Sequence, residues 1–172
     1  MLTSTFSSIS PCFCLCQSFA KNFGLYGERV GTLSVVCRDT EEKERVDSQL
    51  KLLVRPMYSN PPVYGARIVK EVLSDPALTA QWRKECRSMA DRIMEMRTLL
   101  KAHLVQAGST RNWDHLTDQI GMFAFTGLTV EQVLAMRSKH SIYCTDDGRI
   151  SMAGVNTKNA QYIAEAMHDA TK

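Results

Sequence analysis

An α/β fold is predicted for this chain from three features of its sequence. Residues 12–16 and 31–37 are short apolar runs, the second rich in β-branched side chains, and both read as buried strands. From Asp39 to Gly108 the apolar residues recur with helical spacing, interrupted by proline-containing turns. Beyond Gly108, strand-like and helical stretches alternate around the tight turn Thr145-Asp146-Asp147-Gly148. A chain of 172 residues can bury a sizeable core, and its 44% hydrophobic and 23% charged shares are ordinary for a globular protein. Its net charge of +3 is too small and too evenly spread for a nucleic-acid footprint. No apolar run is long enough to span a bilayer as a helix.

The first strand is bounded by Pro11 and Gln17. After the second, Asp39 or Thr40 caps a helix whose first turn holds Glu41 and Glu42, where the helix dipole favours acids. Val46, Gln49, Leu50 and Leu53 are its expected inner face, and Pro56 its stop. The consecutive prolines of Ser59-Asn60-Pro61-Pro62 forbid ladder pairing and demand a turn. Pro62 is expected to open a helix that ends near Leu73. Asp75 and Pro76 then start a helix of roughly thirty residues, ending near Gly108. Trp82, Cys86, Met89, Ile93, Met96, Leu100 and His103 alternate by four and three along it, forming one apolar stripe. Such a stripe fits a coiled-coil seam or a helix linking two domains. The charged residues between (Arg83, Lys84, Arg87, Asp91, Arg92, Glu95, Arg97) are expected to form a solvated face. Residues 122–125 read as a strand, and Thr129 caps a helix over 130–139. Residues 141–144 and 149–153 are expected to pair as a hairpin. A last helix turns Tyr162, Ile163, Ala166 and Met167 inward.

Six cysteines are present, and Cys12, Cys14 and Cys16 alternate along the first strand. That spacing differs from a Cys-x2-Cys zinc pair and no second ligand pair follows, so no metal is expected. Reduced thiols in an intracellular protein are the expectation. Residues 1–11 hold serine and threonine but neither acid nor base, and no arginine precedes Arg29. This fits neither a transit peptide nor a secretory signal.

The chemistry of the chain centres on Lys21. It lies within Gln17-Ser18-Phe19-Ala20-Lys21-Asn22-Phe23-Gly24-Leu25-Tyr26-Gly27-Glu28-Arg29-Val30-Gly31, among small and aromatic residues rather than polar ones. An amine desolvated by such neighbours becomes a nucleophile. Arg29, beyond two flexible glycines, can bend back and hold an anion in its fork. The reaction indicated is an imine between Lys21 and a phosphorylated aldehyde.

This stretch closely resembles the cofactor-lysine segment of the aspartate aminotransferases, pyridoxal-phosphate enzymes of fold type I. The likeness continues through Arg55-Pro56-Met57-Tyr58-Ser59-Asn60-Pro61-Pro62, through Asp118-Gln119-Ile120-Gly121-Met122-Phe123-Ala124-Phe125-Thr126-Gly127-Leu128, and through Asp147-Gly148-Arg149-Ile150-Ser151. It implies the C-terminal part of the fold type I architecture: the last strands of the large-domain parallel sheet, a long interdomain helix and a small α+β domain. On that basis residues 1–16 are a non-family leader and 17–75 a remnant of the cofactor-binding domain. Residues 76–108 are the linking helix, and 109–172 the small domain.

The resemblance implies a role for each matched residue. Lys21 would bind the cofactor aldehyde and shuttle the substrate Cα proton. Ser18 and Arg29 would hold the phosphate of pyridoxal 5′-phosphate. Arg149 would grip the substrate α-carboxylate, with Phe123 lining the pocket. Arg55 would reach across a homodimer interface to the side-chain carboxylate of aspartate or glutamate. The expected partners are therefore dicarboxylic amino acids and 2-oxo acids, with neither nucleic acid nor membrane. In the family the acid at the cofactor ring nitrogen, the stacking aromatic, the phosphate loop and the tyrosine partner come from earlier segments that have no match here. A weakly active or inactive chain is expected when it stands alone. The alternative is a non-catalytic fragment that associates with full-length subunits. The expected setting is intracellular, mitochondrial or cytoplasmic.

Overall fold

The structure, a computed structural model, describes residues 13–172. Residues 1–12, including most of the expected leader and Cys12 of the first strand, lie outside them. The elements are β1 (Phe13–Ser18), β2 (Gly31–Val36), α1 (Thr40–Met57), α2 (Tyr64–Ser74), α3 (Pro76–Gln106), α4 (His115–Asp118), β3 (Phe123–Phe125), α5 (Val130–His140), β4 (Arg149–Ser151) and α6 (Ala160–Ala170). They form two compact units, the first ending at Trp82 and the second running Arg83–Lys172. Among the described residues no helix is long and apolar enough to cross a membrane.

In the first unit β1 and β2 pair with each other, antiparallel, with Phe13 opposite Val36 and Ser18 opposite Gly31. The expected parallel arrangement does not hold for this pair. The segment between the strands contains no helix to make a parallel crossover, and the Phe19 N–H extends the ladder to the Val30 carbonyl at 3.1 Å. Nor are the strands buried: Leu33 and Val36 are about half exposed. Among the described residues no further strand joins this two-stranded sheet.

Asp39 caps α1 as expected, its carboxylate accepting from the Glu42 N–H at 2.7 Å. Pro56 lies one residue from the helix end. The expected inner face is corrected: Val46 and Leu50 are half-buried, but Gln49 and Leu53 are exposed and α1 has no buried residue. α2 begins at Tyr64, so Pro62 precedes the helix instead of opening it. The Arg67 N–H closes its turn on the Val63 carbonyl at 2.9 Å, which makes Val63 the cap. Gly65 of α2 is buried so closely against the chain before β2 that a Cβ there would meet Glu28 Cβ at 2.8 Å and Val30 Cγ1 at 2.9 Å. α3 starts where Asp75 accepts from the N–H groups of Ala77 and Leu78, at 2.7 and 3.0 Å.

The second unit holds the principal core, in which Leu100 and Leu104 of α3 pack with Trp113, Leu116, Val133, Met136, Met152 and Met167. Here α3 differs from expectation in two places. Met89 is exposed, and Arg97, expected on the solvated face, is completely buried. Ile93, Arg97, Leu100 and Leu104 share one face by the same four-and-three spacing, so the inner stripe passes through the arginine. The short helix α4 was not expected.

β3 pairs antiparallel with β4, Phe123 opposite Ser151 and Phe125 opposite Arg149. The predicted hairpin between residues 141–144 and 149–153 does not form as a ladder. Ser141 takes a left-handed conformation at the end of α5, and the Ile142 N–H turns back to the Met136 carbonyl at 3.2 Å. This segment's backbone thus serves the helix end, and the single rung across is Thr145 N–H to the Arg149 carbonyl at 3.3 Å. The turn itself is present: the Gly148 N–H donates to the Thr145 carbonyl at 2.9 Å, and Gly148 has φ +79°. Thr129 and Gln132 form a reciprocal cap on α5. On α6, Ala166 and Met167 are buried and Ile163 half-buried, but Tyr162 is 48% exposed. Its hydroxyl donates to the His140 carbonyl at 2.6 Å, which holds the polar end of the ring at the surface.

Candidate functional site

In the first unit, β1 delivers Ser18 to the mouth of a tight turn that contains Lys21. The N–H groups of Phe23 and Leu25 both donate to the Phe19 carbonyl, at 3.3 and 3.4 Å, and that of Gly24 to the Lys21 carbonyl at 3.3 Å. Gly24 has φ +66°, which a residue with a side chain adopts only under strain. The Ser18 hydroxyl accepts from the Ala20 N–H at 3.2 Å, and Ala20 is buried. Phe19 meets Phe23 edge-on with ring centroids 5.4 Å apart, and Phe23 stacks on Trp82 at 4.7 Å.

Lys21 itself is exposed, with its Nζ 5.3 Å from the centroid of the Tyr26 ring. The desolvated amine expected from the apolar neighbours is therefore corrected. Those neighbours turn into the unit and fix the backbone, and Tyr26, itself half exposed, gives the amine one aromatic face. Arg29, at φ +52°, donates from Nη1 to the Tyr26 carbonyl at 3.1 Å. Tyr26 thus touches both cations, the lysine through its ring and the arginine through its backbone. Ser18 and Arg29 line one concavity of about 260 Å³, together with Ala20 and Gly31. A Cβ on Gly31 would lie 2.5 Å from the Gln17 carbonyl oxygen, so only glycine fits there. This donor set, one hydroxyl and a guanidinium whose other nitrogens have no hydrogen bond among the described residues, suits a phosphate. Arg55 is exposed in the last turn of α1, where a cation suits the helix dipole.

In the second unit, Arg149 and Phe123 come together across the β3–β4 ladder as diagonal neighbours on one face. The guanidinium carbon of Arg149 is 5.0 Å from the Phe123 ring centroid. Both line a cavity of about 480 Å³ whose other walls include Ile142, Tyr143 and Ile163. Arg149 forms no ion pair with a carboxylate among the described residues. Asp147 anchors the turn below it by accepting from the Arg149 N–H at 3.2 Å. The Thr145 hydroxyl and that backbone N–H hold the Asp147 carboxyl below its ordinary pKa, so it stays an anion and an acceptor.

Arg97 is a residue the sequence reading missed. Its guanidinium donates to the carbonyls of Leu116, Gly121 and Phe123 at 2.7, 2.8 and 2.7 Å. Burial lowers its pKa from the usual arginine value, yet an arginine remains charged and three carbonyl dipoles answer that charge. The readable signal was its register with Ile93, Leu100 and Leu104. Among the described residues no group of histidines, cysteines and acids could hold a metal ion.

A family model described as aminotransferase class I and II matches residues 5–167. The mitochondrial aspartate aminotransferase of Dictyostelium discoideum is 57% identical over 158 residues, which is 92% of this chain and 37% of that protein. A solved mitochondrial aspartate aminotransferase from Trypanosoma brucei superposes with a TM-score of 0.91 at 49% identity, covering 94% of this chain and 42% of that one. An aromatic-amino-acid aminotransferase from Burkholderia pseudomallei, described as covalently bound to pyridoxal phosphate, gives a TM-score of 0.90 at 43% identity over 92% of this chain and 40% of that one. The chain spans somewhat over a third of the curated relative's length, 37%, and corresponds to a C-terminal portion.

Proposed function

Because the chain belongs to the class I and II aminotransferases, we propose that it carries the cofactor-lysine and carboxylate-binding residues of an aspartate aminotransferase, acting with pyridoxal 5′-phosphate on L-aspartate and 2-oxoglutarate. Its fold is in part the fold type I of those enzymes. In this reading residues 17–75 are the cofactor-binding remnant, 76–108 the linking helix and 109–172 the small domain.

The residues divide the work by charge. The Ser18 hydroxyl and Arg29 guanidinium donate to the phosphate from the concavity they share. Lys21 Nζ would hold the cofactor aldehyde and, as a free amine, would take and return the substrate Cα proton. Bound pyridoxal phosphate supplies the electron sink that makes that proton removable. Arg149 forks onto the substrate α-carboxylate, its plane steadied by the Phe123 ring. Arg55, across a homodimer interface, takes the side-chain carboxylate. An uncharged substrate would leave that guanidinium unpaired, which gives the preference for dicarboxylates. The setting is intracellular, mitochondrial or cytoplasmic.

The observation that carries this reading is the meeting of Lys21 and Arg29 at Tyr26, with Ser18 and Arg29 lining one hollow. Incubation with pyridoxal phosphate, borohydride reduction and peptide mass mapping tests it. Adduct concentrated on Lys21 supports it; labelling spread evenly over exposed lysines overturns it. A second reading, association with full-length subunits without catalysis, is favoured by the exposed Leu52, Leu53, Met57, Tyr58 and Tyr64 of the α1–α2 region. A dimer that forms only when full-length subunit is added, without amino transfer, would favour it over the first.

A further inference from the structure

We propose that Trp82 is a positioning residue for Lys21, acting through the two residues that follow the lysine. The functional meaning of Lys21 rests on the cofactor reading above; the restraint on its backbone does not. The backbone bonds inside the turn are long, 3.3 to 3.4 Å, and the turn lies at the surface. A turn held only by such bonds opens easily. Trp82 adds two restraints from sixty residues away along the chain. Its indole N–H donates to the Asn22 carbonyl at 2.8 Å, and its ring lies against Phe23 at 4.7 Å with an interplanar angle of 20°.

Phe23 in turn meets Phe19 edge-on at 5.4 Å, so the residues on both sides of Lys21 are tied to one indole. The amine itself is left out of this packing and stays exposed beside Tyr26. A fixed backbone beneath a mobile, reachable amine is what a lysine nucleophile needs. Trp82 is well placed to provide it, because it lies in the second turn of α3, behind the start fixed by Asp75 and Pro76. The same residue was expected to be one more member of an apolar stripe. Its hydrogen bond gives it a task that an aliphatic residue in that stripe could not perform.

The test uses the full chain, Trp82→Ala and Trp82→Phe, the latter keeping a ring for Phe23 but losing the donor. Two readouts are taken: amide exchange at Phe23, Gly24 and Leu25, and the fraction of pyridoxal phosphate adduct on Lys21 after borohydride. In Trp82→Ala both exchange protection and Lys21 selectivity are expected to fall by about tenfold, the scale of one hydrogen bond and its ring contact. Trp82→Phe is expected to fall between that variant and the unaltered chain. Unchanged exchange in both variants overturns the proposal, and so does unchanged Lys21 selectivity in a turn that has loosened. If the unaltered chain shows no Lys21 selectivity, the cofactor reading is what fails, and exchange alone then decides whether Trp82 holds the turn.

Discussion

The guanidinium of Arg97 donates to the carbonyl of Phe123 at 2.7 Å from inside the core of the second unit. The ring of the same Phe123 lies beneath the guanidinium of Arg149, at 5.0 Å. One arginine thus holds from behind the strand residue on which the other rests. The first is buried, with both terminal nitrogens donating to carbonyls. The second is exposed, with no carboxylate partner among the described residues, and remains available for an anion.

Replacing Arg97 should therefore unsettle the strand as well as the core. Arg97→Met fills much of the volume but leaves the carbonyls of Leu116, Gly121 and Phe123 without their donor. The expected loss is about 3 kcal/mol, since some of these carbonyls lie near enough to the surface to find water. Arg97→Lys should recover part of it, because an ammonium cannot reach three acceptors held in a fork geometry. Urea unfolding of the three chains checks this; a Met variant within about 0.5 kcal/mol of the unaltered chain would refute it.

Gly65 offers a contest between two effects of opposite sign. Alanine favours a helix interior over glycine by about 1 kcal/mol. Yet its Cβ would stand 2.8 Å from Glu28 Cβ and 2.9 Å from Val30 Cγ1, and overpacking of this kind costs about 1–3 kcal/mol. The clash should win, and its relief would push the 28–30 segment and Arg29 with it. Gly65→Ala is expected to be less stable on thermal unfolding and to retain pyridoxal phosphate less well. A variant that gains stability and keeps the cofactor would show that the segment yields without consequence.

Arg29 is itself strained, with φ +52° on a residue that carries a Cβ. Such a conformation costs about 1–2 kcal/mol, part of which glycine gives back through its more flexible unfolded chain. Arg29→Gly is therefore expected to be slightly more stable, by about 0.5 kcal/mol, and, under the proposed function, to bind a phosphate ester more weakly. Paired measurements of melting and phosphate-ester binding decide it. A drop in both together would mean that Arg29 serves structure and not a ligand.

These tests mark what the sequence carried plainly and what it did not. Caps at Asp39, Asp75 and Thr129 were readable because their chemistry is local, a side-chain oxygen meeting an N–H two or three residues on. The closeness of Ser18 and Arg29 was foreshadowed too, since they flank the ends of two strands joined by one turn. The burial of Arg97 was hidden because its three acceptors are backbone carbonyls 19 to 26 residues away, and carbonyls have no sequence signature. The meeting of Arg149 with Phe123 depends on β3–β4 register, and the apolar run at 141–144 drew that pairing to the wrong partner. The exposure of Lys21 was misjudged because apolar neighbours in sequence can face inward and leave the amine outside.

The junction of α5 and α6 should give the second unit a defined acid sensitivity. The Asp169 carboxylate accepts from His140 Nε2 at 3.1 Å and lies 3.9 Å from Lys139 Nζ. The His140 hydrogen bond first, and then the Lys139 charge, hold the Asp169 carboxyl below its ordinary pKa. In the folded protein it is thus still charged at a pH where the unfolded chain has begun to take up a proton. Its stabilisation is fully present above the ordinary carboxylate range and drains as pH falls through the lowered folded value. Asp169→Asn removes this dependence and leaves that of Asp114 and Asp147, whose carboxyls are lowered in the same sense. The stability difference between the two chains, followed by urea unfolding from about pH 6 to about pH 3, should be constant at first and then shrink. A difference that stays flat, or that grows with acidity, would mean that this aspartate gains nothing from its neighbours across the two helices.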